Sequence, residues 1–117
     1  MLRRVVLSFA SAMVAIGVFP DLFRSWLAAG VVPEGRDAFN DRDYARALQI
    51  LRPVADYEIE DAYVARAQYI VGLIYKDGLA GEQSIEIARA YLERSRALGN
   101  EDSGRVLSML DRGGRAS

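Results

Sequence analysis

A chain of 117 residues with 15 basic and 16 acidic side chains has room for one small domain and no overall field to draw it to nucleic acid. The absence of cysteine removes disulfides, thiolate nucleophiles and lipoprotein-type acylation; the absence of histidine removes the usual metal ligand and general base. Charge is unevenly shared: Arg3, Arg4 and Arg24 against Asp21 give +2 up to Pro33, and 12 basic against 15 acidic residues give −3 beyond it, so a basic leader precedes an acidic globule.

The leader, residues 1–33, reads as a targeting element. Arg3 and Arg4 precede Val5 to Phe19, which is uncharged throughout. As a helix this run would rise about 22 Å, short of the roughly 30 Å of bilayer hydrocarbon and close to the length of a signal-peptide core. Two readings follow. In the first the leader is a signal sequence, cleaved after Leu27-Ala28-Ala29 or, inside the apolar run, after Ala10-Ser11-Ala12. In the second it is an uncleaved anchor: Pro20 and Asp21 restart a short interfacial helix with Leu22, Phe23, Trp26 and Leu27 on one side and Asp21, Arg24 and Ser25 on the other. Trp26 and Arg24 are residue types that settle among lipid headgroups. Both readings leave the basic N-terminus inside and send the acidic domain out.

Val32-Pro33-Glu34-Gly35 is expected to be a hinge, with a domain of residues 34–117 beyond it. Every later apolar pattern has helical period and none alternates as a strand would, so the fold class is all-α, preceded by a separate apolar N-terminal helix. Gly35 to Phe39 forms a short helix, Asn40-Asp41-Arg42 turns the chain, and Asp43 caps a helix carrying Tyr44, Ala47, Leu48 and Leu51, which Pro53 bends or ends near Leu51. The acidic run Asp56 to Asp61 reads as a solvated helix start rather than a cation site, since it lacks the ligand spacing and glycine turn of a calcium loop.

From about Glu60 to Lys76 the pattern is apolar on nearly every face, which makes that helix central. Gly72 in its middle costs roughly 1 kcal/mol against alanine and predicts close approach of a neighbouring helix. Gly78 and Gly81 supply left-handed backbone, Ser84 caps the next helix, and Ile85, Ala88, Tyr91, Leu92 and Ser95 form its apolar face. Gly99 ends it. Asn100 opens a last helix through Val106, Leu107 and Leu110, which stops before Gly113 and Gly114.

These positions resemble the Sel1-like repeat, a tetratricopeptide-like helical hairpin. Ala67, Val71-Gly72, Tyr75, Gly78, Ser84, Ala88, Tyr91, Arg94-Ser95 and Gly99-Asn100 fall without a gap on that family's alanine, Leu-Gly, tyrosine, loop glycine, cap, alanine, aromatic, Lys-Ala and final glycine. Ala80, Gly81, Ser84, Ile87 and Arg96 depart from it. Gly35, Ala38, Phe39, Asp43, Tyr44, Ala47 and Leu48 look like a tetratricopeptide-type lead-in, and Asn100 to Leu110 like the first helix of a unit that stops.

The resemblance implies a non-catalytic scaffold of the bacterial envelope that binds protein partners through stacked hairpins. Its contacts would lie on the concave first-helix face, at Tyr63, Arg66 and Tyr69, while Gly72, Gly78, Ser84, Ala88, Tyr91 and Gly99 serve structure. The location implied is the inner membrane with a periplasmic domain, or the periplasm after cleavage. About three stacked units are normally needed for stability, so the domain is expected to lean on its own leader, a second copy or a larger complex. The competing expectation is an accessory subunit of an inner-membrane complex, with Ser8, Ala10, Ser11, Ala12, Ala15 and Gly17 permitting close helix contact in lipid. No cofactor, metal or nucleic acid is expected: the arginines are interspersed with acids, Gly78 to Gly81 lacks a phosphate-loop lysine, and Glu58 with Glu60 is a carboxylate pair without a nucleophile.

Overall fold

The computed structural model describes residues 19–116, which form five α-helices with no strand among them. They are α1 (Phe19–Asn40), α2 (Tyr44–Ala55), α3 (Ala62–Asp77), α4 (Ile85–Ala97) and α5 (Glu101–Ala116). Arg3, Arg4 and the apolar run up to residue 18, with its small residues and the Ala10-Ser11-Ala12 site, lie outside the described residues. Among the described residues no helix is long and apolar enough to cross a membrane.

Helix α3 is central, packing against α1, α2 and α4. Its buried residues, among them Val64, Ala67, Ile70, Val71, Ile74 and Tyr75, lie on several faces, as its composition requires. Two polar links pin it: the Gln68 side-chain amide donates to the Ala55 carbonyl of α2 at 3.2 Å, and the Ser95 hydroxyl of α4 donates to the Ala65 carbonyl at 2.6 Å. Leu92 joins Val106 and Leu107 of α5 in a second buried cluster, closed from α3 by Tyr69 and Leu73.

The spacing of helix pairs is set by two glycines. A Cβ on Gly72 would lie 2.7 Å from Leu92 Cγ, 2.9 Å from its Cδ2 and 3.4 Å from the Ala88 carbonyl oxygen, the close approach that its sequence position predicts. Gly35 does the same between α1 and α2, where a Cβ would fall 2.3 Å from Leu51 Cγ. Leu51 and Leu92 are both fully buried. Each such leucine is worth about 1.5–3 kcal/mol in area removed from water.

Four expectations are corrected. The hinge at Val32 to Gly35 is helix interior, because Ala28, Val32, Gly35 and Ala38 recur at i, i+4, i+7 and i+10 and form a buried stripe. Helix α1 therefore runs through the boundary expected after Pro33. The carbonyl that Pro33 leaves without a helical partner belongs to exposed Ala29, where water can serve it. Of the bend or end expected at Pro53, the end near Leu51 does not occur; the helix reaches Ala55, and the orphaned carbonyl belongs to exposed Gln49. Ile85 is 42% exposed and does not share the buried face of Ala88, Tyr91, Leu92 and Ser95. Finally, α5 continues through Gly113 and Gly114 to Ala116.

The caps follow the sequence. Asp43 accepts from the Arg46 amide at 3.4 Å, Ser84 from the Ile87 amide at 3.1 Å, and Asn100 from the Ser103 amide at 3.0 Å. Gly78, Gly81 and Gly99 have φ of 63°, 113° and 97°, values that L side chains rarely adopt. At Gly78 this allows the Leu79 amide to reach back to the Ile74 carbonyl at 3.0 Å and close α3.

Candidate partner-binding face

Asp61 sets the start of α3 by accepting from the amides of Tyr63 (2.7 Å) and Val64 (3.2 Å). It also accepts the hydroxyl hydrogen bond of Ser25, which ties the first half of α1 to that start. From there Tyr63, Arg66 and Tyr69 follow at three-residue intervals, which keeps them along one side of the helix.

The structure separates the three. Tyr63, 43% exposed, and Arg66 line an open groove of about 410 Å³ with Ala62 on one wall and Val32, Pro33 and Arg36 of α1 on the other. Tyr69 is half-buried at the far edge, packed on the Leu92, Val106 and Leu107 cluster. Its hydroxyl is pushed to a higher pKa, first by burial and then by the negative charge of Asp102, so it stays neutral and can donate. Asp102 is itself paired with Arg105.

The groove carries two guanidinium groups and no carboxylate among its lining residues. Arg36 reaches its neighbour Asp37 at 3.4 Å on the exposed side, and Arg66 has no ion pair among the described residues. An aromatic ring, a proline and two arginines around an open trough suit a peptide segment with an acidic side chain or a terminal carboxylate. The α1 wall was missed from sequence because Pro33 and Gly35 read as a hinge; the small-residue stripe Ala28, Val32, Gly35 and Ala38 was the signal that could have found it.

A second polar cluster lies across α2, α3 and α4. Tyr75 and Tyr91 stack with centroids 6.4 Å apart and planes 7° from parallel, and Arg52 donates to the Tyr75 hydroxyl. The Tyr91 hydroxyl donates to Asp56 at 2.6 Å. Arg94 lies 3.8 Å from Asp56 and 5.9 Å from the centre of the Tyr91 ring. Burial first, then the hydrogen bond to Asp56 and that carboxylate's charge, push the Tyr91 phenol up to about 12. Here the tyrosines stitch three helices together.

The acidic run is divided in use. Asp56 and Asp61 hold neighbouring elements as above, while Glu58 and Glu60 are exposed. Among the described residues no cluster of three or more His, Asp or Glu side chains is arranged to hold a metal ion. The chain matches no protein-family model, no curated protein and no solved structure.

Proposed function

We propose that the chain is a non-catalytic adaptor of the bacterial envelope, built from two helical hairpins of Sel1-like, tetratricopeptide-like type and held at the membrane by its leader. In this reading the trough between α1 and α3 takes an extended, acidic segment of a partner protein. The observation that carries it is the pair of glycine contacts. Asp43, Ala47 and Leu51 stand at the spacing of Ser84, Ala88 and Leu92: in each helix a cap is followed after four residues by a buried alanine and after eight by a leucine set into a glycine of the preceding helix. Such units stack by their first helices, and the trough between two first helices is the natural place for a peptide. Helix α5 then stands as the first helix of a further, truncated unit.

The test is direct capture. A photo-reactive amino acid in place of Tyr63, activated in intact cells, is expected to crosslink a discrete partner through an acidic peptide, and the same group in place of exposed Glu93 on α4 is not. Arg66→Glu should abolish the adduct without changing the melting temperature. Equal labelling from both positions, or an adduct indifferent to Arg66→Glu, would remove the trough from consideration.

A further inference from the structure

The outward edge of α1 is out of place on a water-facing helix. Leu22, Trp26 and Ala29 follow one another at intervals of four and three residues on the side opposite the buried stripe, and that edge bears no charge. Leu22 is 59% and Trp26 70% exposed, Phe23 stacks on Trp26 with centroids 5.9 Å apart, and among the described residues outside its own helix backbone nothing lies within 4 Å of where a Cβ on Gly30 would be. Asp21 and Arg24, seven and four residues before Ala28, lie on the side of the buried stripe, 3.6 Å from each other.

We propose that α1 is kept whole in the mature protein and that its Leu22 and Trp26 edge is covered by a lipid bilayer, at the headgroup boundary. The inference rests on the membrane tether of the proposed function and excludes the cut before Gly30. A cut before Gly30 would split a continuous helix. It would also discard the buried Ala28, the Ser25 to Asp61 hydrogen bond and the stacking of Arg24 over Tyr57 at 5.7 Å, all of which join this half of α1 to the rest of the domain.

The uncharged run ahead of α1 says what covers the edge. The uncharged run from Val5 ends at Phe19, where α1 begins. Its 15 residues are about five fewer than a helical span of the hydrocarbon needs. Asp21 follows two residues beyond the run, which puts the hydrocarbon boundary ahead of Asp21 and puts Trp26 in the headgroup layer, where tryptophan settles. The second half of α1 is fixed in the core, so the domain is held close to the bilayer on a rigid stem.

Trp26 is the chain's single tryptophan and so reports its own position. The full chain is reconstituted into phosphatidylcholine vesicles containing lipids brominated at different depths. The expected result is a blue-shifted emission, quenched about twofold and most strongly by bromines near the headgroup. Emission typical of water and indifferent to bromine would overturn the proposal. Emission that is blue-shifted, unquenched and lost on dilution would do the same and assign the edge to a second copy. Mass spectrometry of the membrane-extracted protein should find an N-terminus ahead of Val5, and one within the uncharged run or within α1 would defeat it. Tyr63→Ala and Arg66→Glu should leave the quenching unchanged, so the trough and the tether can fail separately.

Discussion

The hairpins α1–α2 and α3–α4 are held by the same device, a helical glycine receiving a leucine, yet they differ in how much surrounds it. Gly72 sits in a helix packed on several sides, with the Ala88 carbonyl behind Leu92, and nothing there can retreat. Gly35 sits in a helix with an exposed side, and the nearest atoms against it all belong to the Leu51 side chain. A closer contact is therefore not the less tolerant one. What a substitution costs depends on whether the neighbour can give way.

Replacing each glycine by leucine tests this most severely. Gly72→Leu is expected to cost several kcal/mol and to abolish a cooperative thermal transition, whereas Gly35→Leu, by displacing α1 outward, should lower the melting temperature but keep the transition. An unchanged melting curve for Gly72→Leu would mean that the α3–α4 contact is misjudged. The reverse order would mean that α1 is no freer than α3.

The caps sharpen the same contrast. Asp61→Ala removes an acceptor of two amides and of the Ser25 hydroxyl, and about 1–2 kcal/mol should be lost in denaturant unfolding. Asp43→Ala removes one long bond and should cost about 0.5–1 kcal/mol. Equal losses would show that the tie between α1 and the start of α3 adds nothing.

Alkali probes the tyrosine stack, which only the second hairpin brings to α2. The folded-state value of Tyr91, about 12, lies above the ordinary value of 10.0, so the fold favours the neutral phenol. Its contribution is complete below pH 10 and is lost as the pH climbs through 12. Tyr91→Phe should flatten the fall of stability over that interval; a fall of the same steepness would place its origin elsewhere.

The smallest effect belongs to Ser103, buried in α5 with a hydroxyl that has no hydrogen-bond partner among the described residues. Ser103→Ala should shift stability by less than about 0.5 kcal/mol, toward stabilisation if at all. A larger loss in calorimetry would reveal a partner for that oxygen.

Much of this was legible because the signals are local. Ser84, Gly78 and Gly99 announce their roles through backbone chemistry, and Gly72 stands out as an expensive residue inside an apolar helix. Pro33 and Gly35 carried an equally local signal, and it pointed the wrong way. A breaker pair reads as a hinge unless the helix it interrupts is paid for by burial across it, which Ala28, Val32 and Ala38 provide. The α1 wall of the trough was hidden for that reason, since nothing near Arg36 in the chain ties it to Arg66.

The amino-acid order by itself determined the helical class, the centrality of α3, three of the caps and the left-handed turns, because periodicity, side-chain acceptors and missing Cβ atoms act within a few residues. Tertiary packing alone decided that α1 passes straight through Pro33, that Gly35 meets Leu51, and that Tyr63 and Arg66 face Arg36 while Tyr69 turns to α5. Those outcomes depend on residues far apart in the chain competing to leave water, and no short-range preference records which of them will meet.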